Sequence, residues 1–316
     1  MKRAAVLLLA FVSLQAAAQG YPSKPVRLVN PFTAGGPLDL MGRILSEKLS
    51  AAFGKPVIVE NKPGAAGNVG AAEVARAAPD GHTALLMLFS IVTSNPHLYE
   101  RLPFDPLKDF APVTAIATQD SVLIAHPDLP ARSVSELIAY AKANPGRVNY
   151  ASAGKASPGH LTAEYFRLKT GTALTHVPYK GNAEAIRSVL TGDTQIMFTP
   201  ATGALPHIRA GKLKALAVYL ADAIDELPGV PSLEGFDQRT LPFWYGLVVP
   251  ANTPREIVQR LNAETVKALK DPQTVKMLRG ARIFVIASTP EEFGAMMREG
   301  HAAWGRVIRE TGVKGE

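Results

Sequence analysis

The 316-residue sequence predicts an α/β fold in two domains, each a mostly parallel sheet flanked by helices. Three observations carry this. Short β-type runs alternate with helical patterns along the chain, the order that gives parallel pairing with helices on both sheet faces. The length suits two domains of ordinary size, about 100–200 residues each. The composition, 47 % hydrophobic and 19 % charged, is globular and supplies a core for each domain.

The elements follow in order. Residues 26–30 read as a strand, and Met41, Ile44, Leu45, Leu49 and Ala52 form a helical stripe over 38–53. A strand at 57–60, a helix over 68–77 ending at the turn signal Pro79-Asp80-Gly81, and a buried strand at 83–89 complete the first unit. The middle repeats this logic. Strands are expected at 122–125, 149–152, 175–177, 195–198 and 214–218, with helices from Ser133, from about Pro158, over 182–190 and over 205–210. Ser133 and Glu136 have capping-box spacing. The apolar run 243–249 is another buried strand. The C-terminal part is mostly helical: Thr253-Pro254-Arg255-Glu256 and Thr289-Pro290-Glu291-Glu292 each place Thr at the N-cap and Pro at the first helical position, and Asp271-Pro272 is a further start. No flexible linker marks a boundary, so the chain is expected to cross between domains on strands, near 120–122 and near Gly246. This gives residues 1–18 as a signal peptide, 19–121 with 247–316 as domain 1, and 122–246 as domain 2.

The signal peptide rests on Lys2 and Arg3, the apolar run 4–14, and Ala16-Ala17-Ala18, with cleavage between Ala18 and Gln19. The run is too short for a membrane span, and no cysteine is present to carry a lipid anchor or a disulfide. A soluble periplasmic protein is expected. The formal charge is +7, from 34 basic and 27 acidic residues; removing Lys2 and Arg3 leaves 32 against 27, or +5. The basic residues are scattered, so nucleic acid is not an expected partner. The charge suits solubility and a mild bias toward anions.

Three loops each follow a strand and precede a helix: Pro31-Phe32-Thr33-Ala34-Gly35-Gly36-Pro37-Leu38-Asp39, Ser152-Ala153-Gly154-Lys155-Ala156-Ser157-Pro158-Gly159-His160, and Pro178-Tyr179-Lys180-Gly181-Asn182. Ligands of open α/β sheets bind at the carboxyl ends of strands, where such loops sit. A helix N-terminus offers unpaired N–H groups and a positive dipole end, so a small carboxylate or phosphate is its natural occupant. Gly and Pro here also serve as plain turn residues. Asp39 either faces a ligand or favours its helix's first turn, and Lys155 either complements an anion or is solvated. Gly64, Gly67 and Gly70 form a second nest or allow close helix packing. Phe32, Phe89, Phe198, Trp244 and Tyr245, at or beside strand ends, are candidate pocket walls or core.

Catalytic readings find little support. The seven histidines show no metal-binding spacing, and no nucleotide fingerprint or nucleophile elbow is present. Ser157, three residues before His160, is more simply an N-cap. No cofactor or metal is expected, and the chain is not expected to be an enzyme.

The chain resembles the substrate-binding proteins of tripartite tricarboxylate transporters, the Bug family, over nearly its whole mature length. The resemblance is carried by Tyr21-Pro22-Ser23-Lys24-Pro25, Pro31-Phe32-Thr33-Ala34-Gly35-Gly36, Val59-Glu60-Asn61-Lys62-Pro63-Gly64-Ala65-Ala66-Gly67-Asn68, Ala78-Pro79-Asp80-Gly81-His82-Thr83, Asn95-Pro96-His97-Leu98-Tyr99, Asp109-Phe110-Ala111-Pro112-Val113, His176-Val177-Pro178-Tyr179-Lys180-Gly181, Trp244-Tyr245-Gly246-Leu247 and Trp304. It implies a type II periplasmic binding protein that closes over a small carboxylate like a flytrap and serves a membrane permease, or a membrane sensor kinase instead. A monomer is expected. One carboxylate would sit against Phe32, Ala34, Gly35, Leu38 and Asp39, partly through water. Opposing contacts would come from Ser90, Ser152, Lys155, Ser157, Pro178 and Thr199. Two positions depart from the family pattern. Pro37 lacks an N–H where a small residue is common. Thr199 stands where members that bind amino or hydroxy acids often carry Asp. Amino acids such as aspartate are therefore not expected as ligands, and a mono- or dicarboxylate, aromatic acids included, is.

Overall fold

A computed structural model describes residues 20–219, 224–236, 241 and 243–314. The predicted signal, residues 1–18, lies outside the described residues. Among those described, no helix is long and apolar enough to cross a membrane.

Two mixed sheets flanked by helices form the molecule. The first begins with β1 (Val26–Asn30), α1 (Pro37–Phe53), β2 (Val57–Asn61), α2 (Asn68–Ala75) and β3 (Thr83–Leu88), followed by the short helices α3 (Ser90–Thr93) and α4 (Asn95–Leu98) and by β4 (Phe110–Gln119). The second holds β5 (Ser121–Ala125), α5 (Val134–Ala143), β6 (Val148–Ser152), α6 (Pro158–Thr170), β7 (Leu174–Pro178), α7 (Asn182–Thr191), β8 (Ile196–Pro200), α8 (Ala201–Arg209) and β9 (Lys214–Tyr219). The chain then returns to the first sheet with β10 (Tyr245–Pro250), α9 (Arg255–Lys270), α10 (Pro272–Gly280), β11 (Ile283–Val285) and α11 (Pro290–Thr311). The strand orders are β11-β4-β10-β3-β1-β2 and β7-β6-β8-β5-β9.

Strand–helix alternation gives the parallel half of each sheet: β1 pairs parallel with β2 and β3, and β6 with β7 and β8. The remaining pairings are antiparallel, β10 against β3 and β4, β11 against β4, and β5 against β8 and β9. Each sheet is therefore mixed where a mostly parallel one was expected, because these partners are not consecutive strands joined by a crossover helix, as parallel pairing requires. The antiparallel strands include those on which the chain crosses between sheets. A single residue, Asp120, separates β4 from β5. Ser121 already pairs in the second sheet and Tyr245 in the first.

Local signals decide most helix starts. Asp271 accepts from the N–H groups of Gln273 and Thr274, and Thr289 with Glu292 forms a complete capping box. Two caps differ from expectation. The Ser133 hydroxyl accepts from the Glu136 N–H, but the Glu136 carboxylate reaches back to the Arg132 N–H, one residue further. The Thr253 hydroxyl donates to the Pro250 carbonyl at 2.7 Å, so α9 starts beyond Pro254 without a side-chain cap. α8 begins at Ala201, four residues before the predicted helix.

Helix α11 closes the first sheet. Phe293 is buried beneath Gly246 and meets the Trp244 ring edge-on at 4.9 Å. The far end of α11 reaches α6 of the second sheet, so one long helix touches both halves.

Candidate functional site

Between the two sheets lies a cavity of about 590 Å³, within the range of roughly 300–1,000 Å³ usual for small-molecule sites. The carboxyl ends of β1, β6, β7 and β8 feed helices α1, α6, α7 and α8, and residues in the first turn of each line it: Leu38 and Asp39, Pro158 and Gly159, Asn182, and Thr202 and Gly203. No side chain caps α1, α7 or α8. The leading N–H groups of α1 and α7 are therefore open to a ligand, while in α8 the Ala201 N–H donates to the Asp120 carbonyl at 3.2 Å and those of Thr202 and Gly203 stay open; the positive dipole ends converge there. The wall between them is largely apolar and aromatic, from Phe32, Leu88, Phe198, Tyr219, Phe243, Tyr245, Ile283 and Trp304. Among the described lining residues there is no Lys or Arg.

Each donor set has a local cause. In the first loop the Asp39 carboxylate, almost wholly buried, accepts from Arg43 Nε at 2.8 Å and from the Gly35 N–H at 3.0 Å, with Asn61 Nδ2 at 3.5 Å. Arg43 and then the Gly35 N–H hold this carboxyl below its ordinary range. Asp39 thus lines the cavity with its charge committed to fixing the loop. Pro37 removes the first-turn amide, leaving those of Leu38 and Asp39. Asn30 Oδ1 accepts the Phe32 N–H at 3.2 Å, while its Nδ2 is buried without a protein partner.

On the opposite wall the Thr199 hydroxyl is buried at 1 % exposure, also without a partner. Buried polar groups are normally paired, which makes Asn30 and Thr199 candidate donors on the cavity wall. Gly159 lets α6 come down on β8: a Cβ there would lie 2.4 Å from the Phe198 carbonyl oxygen. At the back of the cavity the Tyr245 hydroxyl donates to Gln119 Oε1 at 2.7 Å, and Gln119 Nε2 donates to Thr202 Oγ1 at 3.4 Å, linking the two sheets. Burial pushes the Tyr245 phenol up, so it stays protonated as a donor.

Behind this contact, Arg282 donates through Nε to the buried Asp120 carboxylate at 2.8 Å and through Nη1 to Glu226 at 2.5 Å. Burial raises the Asp120 carboxyl despite Arg282. Arg282, next to β11, thus ties the crossing point to the first sheet.

Of the residues expected from sequence, Phe32, Gly35, Leu38, Asp39, Ser157 and Thr199 come together around this cavity. Ala34 and Pro178 are exposed outside it. Ser90 opens α3 away from it, Ser152 is buried beneath the loop and bonded to His176, and Lys155 points to a second cavity on the far side. Of the candidate aromatic walls, Phe32, Phe198 and Tyr245 line the cavity, whereas Phe89 and Trp244 are core. Gly67 and Gly70 serve close packing: a Cβ at Gly67 would meet Ile91 and Phe32, and one at Gly70 would meet Pro31. Asn30, Gln119, Thr202, Phe243, Ile283 and Trp304 were not legible as site residues. Asn30 reads as a strand end, and Trp304 enters only among the residues that carry the family resemblance.

Comparison with known proteins agrees with the geometry. Residues 41–313 match the model of the tripartite tricarboxylate transporter family receptor. The chain is 32 % identical to protein BugT of Bordetella pertussis (strain Tohama I) over 96 % of this chain and 94 % of that one. It superposes on R. palustris Rpa4515, solved with adipate, with a TM-score of 0.78 and 30 % identity, covering 94 % of this chain and 100 % of the other. For MatC of Rhodopseudomonas palustris with bound malate the TM-score is 0.73 and the identity 29 %, over 91 % and 100 %. These are binding receptors and not enzymes. A two-sheet fold with helix N-termini turned into one cavity, and similarity along nearly the whole chain, lead to one conclusion: the chain belongs to the tripartite tricarboxylate transporter receptor family, among the Bug proteins.

Proposed function

We propose that this chain is a periplasmic solute-binding receptor that captures a small mono- or dicarboxylate, aromatic acids included, and delivers it to a membrane permease. The observation that carries the reading is the convergence of four helix N-termini on an apolar cavity with no Lys or Arg among its described lining residues. Such a site favours an anion of low charge density with a carbon body, held by amides and hydroxyls. Two donor groups face each other: the α1 terminus with Asn30, and the termini of α6, α7 and α8 with Thr199. A donor group on each wall offers a partner to an acid group at each end of a solute, and adipate and malate, held by two relatives, are diacids. The only carboxylate among the described lining residues, Asp39, is already paired, so a ligand ammonium would find no free counter-charge.

The two lobes divide near residues 121 and 246, and closure pivots beside Asp120. Closure requires the solute to bind the closed form better than the open one. A thermal-shift screen of the protein from Gln19 onward, against small acids and neutral analogues, tests the reading. A ligand at about 100 times its Kd adds roughly 2.7 kcal/mol. Shifts with mono- or dicarboxylates are expected; shifts only with neutral or cationic compounds would overturn it.

A further inference from the structure

The 152–158 loop has two faces. Ala153, Ser157 and Pro158 line the solute cavity. On the other side lies a half-open cavity of about 460 Å³, bounded by Lys155, His160, Glu164, His176 and residues 311–314. There the imidazoles of His160 and His176 stack face to face, with centroids 3.9 Å apart and planes 12° apart, and Tyr150 continues the stack 4.9 Å beyond His176.

Both rings hold the loop. The Ala156 N–H donates to His160 Nδ1 at 2.9 Å, and Ala156 sits in the left-handed region at φ 58°, a conformation that costs a non-glycine residue energy. His176 Nε2 lies 2.7 Å from Ser152 Oγ, which donates to the Gly154 carbonyl and accepts the Gly154 N–H.

We propose that His160 and His176 are positioning residues for solute binding: as a neutral stacked pair they brace the 152–157 loop and set the N-terminus of α6 against the cavity. The inference rests on the cavity being the solute site. Nδ1 of His160 must keep its lone pair to accept from Ala156, so a proton there breaks the brace. The groups facing the pair are Tyr150, Lys155, Glu164 and Arg167, with Lys314 from the end of the chain. Burial, then the neighbouring His176, pushes His160 down to about 4; Lys155 acts the same way and Glu164 opposes. Glu164 is engaged by the Tyr150 hydroxyl at 2.6 Å and by Arg167 at 2.8 Å. Burial also lowers His176. The brace therefore holds at neutral pH and fails toward pH 4.

The test compares His160→Asn, whose side-chain oxygen restores an acceptor near Nδ1, with His160→Leu, which has none. Hydrogen exchange at the Ala156 amide is read in the solute-free protein, and affinity is read for the acid found in the screen. His160→Leu should lose Ala156 protection and about tenfold in affinity, while His160→Asn keeps both. The ratio of wild-type to His160→Asn affinity should fall as pH approaches 4, a comparison that cancels titration of the solute itself. Nitrogen NMR of the wild-type imidazoles should show Nδ1 of His160 unprotonated at neutral pH, a reading that needs no variant to fold. Equal behaviour of the two variants, or a protonated Nδ1, would overturn the proposal. Lost Ala156 protection in His160→Leu with no acid bound by any form would keep the brace and fail the solute reading instead.

Discussion

Replacing Thr199 by Val should move stability and affinity in opposite directions. In the solute-free protein the Thr199 hydroxyl is buried at 1 % exposure with no protein partner. An unsatisfied buried polar group costs about 1–3 kcal/mol. Valine removes it, keeps nearly the same shape and suits a strand position in β8. The free variant should gain about 1 kcal/mol, which for a chain of this size raises the melting temperature by about 1.5–2 °C. In the proposed function, the carboxylate of a bound solute accepts from the same hydroxyl. A hydrogen bond to a charged group is worth about 1.5–3 kcal/mol, so affinity should fall about tenfold to hundredfold. Differential scanning calorimetry reads the first effect and titration calorimetry the second, on one protein preparation. A variant that melts lower and binds as tightly as wild type would refute the reasoning: its hydroxyl would have a partner inside the protein and none on the solute.

Gly246→Ala would place a Cβ 2.1 Å from Phe293 Cζ, under a ring held edge-on by Trp244; overpacking should cost about 1–3 kcal/mol, and Phe293→Leu in the same chain should restore part of it in a thermal melt. Arg282→Met leaves the Asp120 carboxylate buried without its main partner; denaturant unfolding should show a loss of about 3–5 kcal/mol, and adding Asp120→Asn should recover much of that. Asp39→Asn bears on pH. Arg43 and the Gly35 N–H depress the Asp39 carboxyl below its ordinary value near 3.8, so the folded state keeps it charged when the unfolded chain would bind a proton. Its contribution is full above that ordinary value and is lost as pH falls through the folded value. The stability gap between wild type and Asp39→Asn should therefore close in acid, and a gap that stays constant down to the lowest pH measured would contradict the pairing.

Much of the fold is legible because its elements are local. The stripe Met41, Ile44, Leu45 and Leu49 gives α1, and the Thr289 box gives α11. β4 is harder: Pro112 argues against a central strand, yet it sits where the pairing with β10 shifts register, a place that tolerates proline. Strand direction is not local either, so the antiparallel half, set by how the chain crosses at Asp120 and returns at Tyr245, has no sequence pattern. The first loop is readable as a candidate anion site because strand, glycines and helix start lie together. Gln119, Ile283 and Trp304 reach the cavity from three distant elements and share no motif. Lys155 shows the converse: its loop lines the cavity, but nothing local says which of its two faces a side chain takes.

In the proposed function the cavity reads a carboxylate through helix N-termini and neutral donors. The most direct measurement is calorimetric titration of the tightest acid from the screen beside its primary amide, which keeps the carbon body and removes the charge. The acid should bind, and the amide should bind at least about a hundredfold more weakly, a difference of roughly 2.7 kcal/mol. Equal binding of acid and amide would contradict it, because the cavity would then be selecting the apolar body alone.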